Sequence, residues 1–163
     1  MSKLYKQRKS PSLSLQVACK SAVGVPERQE FKKVLDCFAS GSCDLLAALT
    51  GRRTGICIRI VSKEESQQLN RDFRQQDKPT NVLSFPFDEP DYLGDLALCH
   101  EIIAAEAEAQ GKTVLAHYQH MTLHGILHLL GYDHETEEEA SEMEALEVTL
   151  LAQLGVKDPY HGH

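Results

Sequence analysis

Hydrophobic and polar positions along this chain switch between two periods, and the switches divide it into elements. Leu13, Leu15 and Val17 alternate with polar residues, the two-residue period of a half-buried strand. Pro26 then opens a helix, with Phe31, Val34, Leu35 and Phe38 at helical spacing. GRRTG is a loop, and Ile56, Ile58 and Ile60 form a second alternating strand. Ser62 and Glu65 read as a capping box for a short helix running through Leu69 to about Phe73. DKPT is a turn in which Pro79 forbids helix continuation. Val82 to Phe87 is a third strand, ended by Pro86 and the DEPD cluster. Tyr92 to Cys99 is a fourth, with Gly94 inside it as a bulge or a close backbone approach. Ile102 to Gln110 is helical, Gly111 stops it, and another helix starts near Thr113. A last helix carries Met143, Leu146, Leu150 and Leu154 on one face. The order β-α-β-α-β-β-α-α-α predicts an α+β fold, a small mixed four-stranded sheet packed with about five helices.

The helix from Thr113 carries the chemistry. It runs into HGILHLLGYDH, where His124, His128 and His134 are spaced H-x3-H-x5-H. The first two share a helix face one turn apart. Gly131 can take the left-handed geometry that ends a helix, so that His134 folds back toward them. Two histidines at helical spacing occur by chance, and a lone His is more often packed or solvated than a ligand. The third, placed just after a glycine stop, turns the pair into a candidate metal site on a helix and the turn after it. No thiolate lies nearby in sequence, and a water is the economical fourth ligand. Three imidazoles with an open position suit catalytic zinc, since structural zinc is normally closed by four protein ligands. Zinc held by neutral ligands lowers the pKa of bound water to about 7, which points to hydrolysis.

In the protease motif H-E-x-x-H the residue after the first His is the general base. Here it is Gly125, which either packs tightly or lets a ligand or backbone approach. Asp133 could accept from an imidazole N–H or cap the turn. Of the other histidines, His117 and His120 precede His124 at helical spacing, and His120 reads as a packed side chain before a substrate contact. His100 is placed at a strand end, and His161 and His163 lie in a terminal tail outside the ligand set.

Length and composition narrow the class. The 163 residues fit one domain with a real core, with residues 1–10 a flexible basic extension. No apolar run is long enough to span a membrane, and the basic N-terminus is not followed by a signal-peptide pattern. The five cysteines are odd in number and form no CxxC, which fits reduced thiols in the cytoplasm. The net charge of −7 argues against a general nucleic-acid binder. The excess is local, however: Glu135, Glu137, Glu138, Glu139, Glu142, Glu144 and Glu147 cluster in one segment that reads as a solvated helix face. Basic stretches at Lys3 to Lys9, Arg52–Arg53 and Arg71 to Lys78 leave room for a positive groove.

Taken with LNRDFRQQDKPTNVLSFPF and LGDLALC before it, and MEALE and DPY after it, the histidine motif resembles the YbeY family. The match runs from the first strand to Asp158-Pro159-Tyr160. The resemblance implies a single-domain, metal-dependent endoribonuclease with one zinc on His124, His128 and His134, acting in rRNA maturation at the small-subunit rRNA 3′ end and in ribosome quality control. It also implies an essential catalytic arginine, Arg74 here. That role makes physical sense, since a guanidinium grips phosphate oxygens in a fork that lysine lacks. The competing reading is a helix-end arginine favourable to the helix dipole. Asn81 and Ser84 could touch substrate or serve strand pairing. The expected partners are single-stranded RNA, whose backbone and bases are reachable, and the ribosomal small subunit. The alternatives are a zinc metallopeptidase, which Gly125 weighs against, and a non-enzymatic ribosome assembly factor with a structural metal.

Overall fold

The computed structural model describes residues 12–39, 55–89 and 91–160. The basic stretches at Lys3 to Lys9 and Arg52–Arg53, together with Cys43, His161 and His163, lie outside the described residues. Four strands, β1 (Ser12–Val17), β2 (Gly55–Val61), β3 (Val82–Glu89) and β4 (Tyr92–Cys99), form one sheet in the order β1-β2-β4-β3. β1 and β4 run parallel to β2, and β3 runs antiparallel to β4 at the edge. Five helices are described: α1 (Arg28–Cys37), α2 (Lys63–Arg74), α3 (His100–Ala109), α4 (Val114–Leu129) and α5 (Glu137–Gln153). This is the α+β fold that the periodicity predicts.

Alternation in the strands sorts the core into two parts. Ile56, Ile58 and Ile60 on β2, with Leu96 and Leu98 on β4, join the main core together with α1, α4 and α5. The opposite sheet face supplies Val61, Leu83, Ala97 and Cys99 to a smaller cluster under Leu69 of α2. α4 is buried almost all round, as expected of a helix that is apolar on more than one face. Its Tyr118 is fully buried and meets Phe31 of α1 edge-on at 5.9 Å.

Several boundaries shift for local reasons. β3 continues through Pro86 to Glu89. Pro86 is tolerated because β3 is an edge strand, where a missing N–H breaks no ladder. The Ser62 hydroxyl caps α2 by accepting from the Glu65 N–H at 3.2 Å. Glu65 does not complete the box; its carboxylate takes a two-pronged bond from Arg59 at 2.6 and 3.1 Å. α3 begins at His100, so this residue starts a helix rather than ending a strand. Its buried ring is held by the Tyr118 hydroxyl at 2.6 Å and the Val23 carbonyl at 2.8 Å. Gly94 is a close approach: a Cβ there would stand 2.4 Å from the Phe85 carbonyl oxygen. Cys19, Cys37, Cys57 and Cys99 are all free thiols.

Candidate metal centre

α4 comes close against the sheet at Gly125. A Cβ there would lie 2.8 Å from Leu96 Cδ2 and 3.2 Å from Val82 Cγ2. Of the two readings of this glycine, tight packing of helix on sheet is the one its surroundings support. The Ser84 hydroxyl of β3 donates to the Gly125 carbonyl at 3.1 Å and ties the edge strand to the helix. That contact fixes the stretch of α4 that carries His124 and, one turn on, His128.

The helix ends as its sequence demands. Gly131 has φ of 100°, the Tyr132 N–H bonds the Leu127 carbonyl and the Gly131 N–H bonds the His128 carbonyl, each at 3.0 Å. This is the paired Schellman pattern of a glycine-terminated helix. Asp133 then accepts from the His134 backbone N–H at 2.8 Å, so it caps the turn. His134 folds back as expected. Its ring centroid stands 5.8 Å from that of His124 and 5.2 Å from that of His128. One ligand atom from each of the three lies within 4.8 Å of the others.

The spacing of the first two imidazoles fits a metal. Nε2 of His124 and Nε2 of His128 are 3.1 Å apart. Two nitrogens on a tetrahedral zinc, each about 2.0–2.1 Å from it, would be separated by about 3.3–3.4 Å. Burial, and then the neighbouring His124 and His134, hold the His128 pKa below its ordinary value, against a backbone bond to Tyr132 and the charge of Asp133. Its imidazole is therefore neutral at pH 7, the form that binds metal. His134 is exposed, so the group opens to solvent on that side.

Glu147 of α5 corrects the reading of the acidic run. Its six companions are exposed, but Glu147 is fully buried. Its Oε1 accepts from His124 Nδ1 at 2.5 Å, and its Oε2 accepts from the Tyr160 hydroxyl and lies 3.5 Å from His120 Nε2. Burial alone would push this carboxyl up, but the bonds from His120, His124 and Tyr160 outweigh it and bring it to about 2. An ionised acceptor on Nδ1 keeps the proton there and leaves the Nε2 lone pair of His124 free to face the other imidazoles. The sequence carried one signal of this: Glu147 lies one turn from both Met143 and Leu150, on the buried face of its helix.

His120 is the packed side chain expected of it. Its Nδ1 has no partner among the described residues, whereas Nε2 faces two acceptors, the Glu147 carboxylate and the Tyr160 oxygen at 3.4 Å. The proton therefore resides on Nε2. His117 belongs to a separate network, with Nε2 at 3.0 Å from Glu106, which also accepts from Asn81 at 3.1 Å.

Arg74 ends α2 on the other side of the edge strand. Its Nη2 donates to the Ser84 carbonyl at 2.6 Å, and its guanidinium lies 5.5 Å from the centre of the Phe85 ring. The residue is exposed, and Ser84 links it to Gly125 on the ligand helix. Asn81 serves strand and helix contacts, since its Oδ1 accepts from the Val82 N–H. Next to His134 in the chain, Asp133 lines a cavity of about 560 Å³ together with Glu135, Glu139 and Glu142.

The family model for Endoribonuclease YbeY matches residues 25–155. The chain belongs to the YbeY family. A YbeY relative from Chromohalobacter salexigens, named Endoribonuclease YbeY, is 56% identical over 113 residues, covering 66% of this chain and 73% of that one. The solution structure of TM1509 from Thermotoga maritima aligns with a TM-score of 0.56 at 24% identity, over 88% of this chain and 91% of that one. That likeness is one of fold. YbeY membership places the chain among the endoribonucleases, within the hydrolases, and the three imidazoles form a group able to hold a metal ion. No described helix is long and apolar enough to cross a membrane.

Proposed function

We propose that this chain is a zinc-dependent endoribonuclease that hydrolyses phosphodiester bonds in single-stranded RNA. His124, His128 and His134 hold one zinc ion, with the fourth position left to solvent, and Arg74 grips the scissile phosphate. The observation that carries the reading is the convergence of three imidazoles, one with its tautomer set by a buried carboxylate, in a member of an endoribonuclease family. When bound, zinc supplies Lewis-acid charge and lowers the pKa of water toward about 7.

The chain's own groups do the rest. The Glu147 carboxylate orients His124. The bond to Ser84 and the Phe85 ring hold the Arg74 guanidinium in place, and only one of its five donors is occupied by Ser84. The remaining N–H groups can meet two phosphate oxygens and stabilise the charge that grows there. The carboxylates of the neighbouring cavity repel phosphates, which leaves the Arg74 guanidinium as the group that draws the RNA backbone. Gly125 stands where a zinc protease keeps its glutamate, and its Cα faces Leu96, which speaks against peptide hydrolysis.

The RNA acted on is ribosomal, at the 3′ end of the small-subunit rRNA, and the work belongs to rRNA maturation and ribosome quality control in the cytoplasm, with the small subunit as partner. Purified protein freed of contaminating nucleases should cut single-stranded RNA in proportion to its zinc content and leave unfolded casein intact. Peptide hydrolysis that tracks zinc, with no RNA cleavage, would overturn the proposal. Cleavage of precursor rRNA that ignores the small-subunit 3′ end would overturn the ribosomal part alone.

A further inference from the structure

Tyr160 lies beyond the end of α5 and outside the set of imidazoles, yet its hydroxyl reaches their support. The residue is 41% exposed. A tyrosine kept for apolar packing would be buried, whereas this one is partly exposed and sends its hydroxyl inward to Glu147. Its backbone is set for this by Asp158, whose Oδ1 accepts from the Tyr160 N–H at 2.8 Å. The ring meets His120 edge-on, 5.7 Å between centroids.

Three donors surround the Glu147 carboxylate, and they are unequal. His124 holds Oε1 at 2.5 Å, and Tyr160 holds Oε2. His120 stands at 3.5 Å from Oε2, at the limit of a hydrogen bond. The hydroxyl therefore fixes the rotation of a carboxylate whose side chain is only 1% exposed, with little solvent to take its place. Without it, Oε2 keeps, among the described residues, only the long contact to His120. The carboxylate then turns toward His120, and the bond that sets the His124 tautomer loosens.

We infer that Tyr160 is a positioning residue for the metal centre: it clamps Glu147, and so couples docking of the Asp158–Pro159–Tyr160 segment to metal affinity. This inference rests on the zinc reading above. Coupling of this kind is reciprocal, so metal binding must also tighten the docked segment.

The test uses the full chain, stripped of metal by a chelator and titrated with zinc against a chromophoric competitor. Tyr160→Phe keeps the ring against His120 and removes only the hydroxyl. It should weaken zinc binding about tenfold, the lower end of what supporting residues around metal ligands contribute. It should also alter the visible spectrum of the cobalt-substituted protein. In a Glu147→Gln background the same change should cost clearly less. Wild-type affinity in Tyr160→Phe, or an equal loss in the Glu147→Gln background, would overturn the coupling. Should the variant fail to fold, hydrogen exchange on the wild-type chain decides: zinc should slow exchange at the Asp158 and Tyr160 amides, and unchanged exchange refutes the inference. A wild-type chain that takes up no zinc overturns the metal reading itself and this inference with it. Zinc uptake that depends on His124 but ignores Tyr160 overturns the inference alone.

Discussion

Replacing Glu147 by Gln keeps the volume of the side chain and removes its charge. The wild-type carboxylate accepts from His124, Tyr160 and His120 while almost wholly shut from solvent. An amide keeps one acceptor oxygen for His124, but its NH₂ then faces the Tyr160 oxygen and the Nε2 proton of His120. One of those contacts becomes donor against donor. The bond to His124 also loses its charge assistance, which commonly doubles the strength of such a bond. Groups of this kind typically contribute 10–100-fold to metal affinity, or about 1.4–2.8 kcal/mol.

A second consequence is visible without metal. The Glu147 carboxyl sits at about 2, against an ordinary 4.5, a difference equivalent to roughly 3 kcal/mol. A carboxyl depressed in the folded state stabilises it fully above its unfolded pKa, and loses that contribution as pH falls from 4.5 toward 2. The metal-free wild type should therefore lose stability through that window, and Glu147→Gln should lose less. Competition titration with zinc at neutral pH and urea unfolding of the metal-free proteins between pH 6 and about 3 measure the two effects. Unchanged zinc affinity in Glu147→Gln, together with parallel acid profiles for both proteins, would refute the role given to this carboxylate.

Other outcomes follow from the same geometry. Ala at His124, His128 or His134 should lower zinc content and RNA cleavage together, as read by metal analysis and a cleavage assay; full zinc in the triple variant would remove the assignment. Arg74→Ala should keep zinc and fold but lose about 10²–10³ in cleavage rate, with Arg74→Lys recovering little; near-normal cleavage by Arg74→Ala, or full rescue by lysine with only a dipole-sized stability change of about 0.3–1 kcal/mol, would return Arg74 to a structural role. Gly125→Ala gains about 1 kcal/mol in helix propensity but drives a methyl into Leu96 and Val82, an overpacking worth about 1–3 kcal/mol; the net should be a small loss in thermal stability, and a clear gain would contradict the close packing.

Much of the fold was legible because burial repeats along the chain. The alternating isoleucines of β2, the helical spacing of Phe31, Val34, Leu35 and Phe38, and the glycine after Leu130 each state a local geometry that the packing then keeps. The metal group was legible for the same reason, since two of its members share a helix and the third follows a turn that glycine specifies. Glu147 and Tyr160 were not, because their meaning lies in contacts across 23 and 13 residues of chain. A glutamate within a run of glutamates looks solvated until the fold shows which face it occupies. His100 was misplaced for a similar reason: its partners, Tyr118 and Val23, come from distant parts of the chain.

Gly125 joins these two kinds of information. From sequence it is a missing glutamate, which bears only on what the site cannot do. In the fold, the lack of a side chain lets α4 settle onto Leu96 and Val82, while its carbonyl takes the Ser84 hydroxyl. Ser84 in turn gives its own carbonyl to Arg74. A single strand residue thus connects the helix that carries His124 and His128 to the guanidinium expected to meet the phosphate. Restoring a glutamate at position 125 would not restore a protease base, because its Cβ would point into the sheet at Leu96 rather than toward the imidazoles. Close packing and the choice between peptide and phosphodiester chemistry therefore depend on the same glycine.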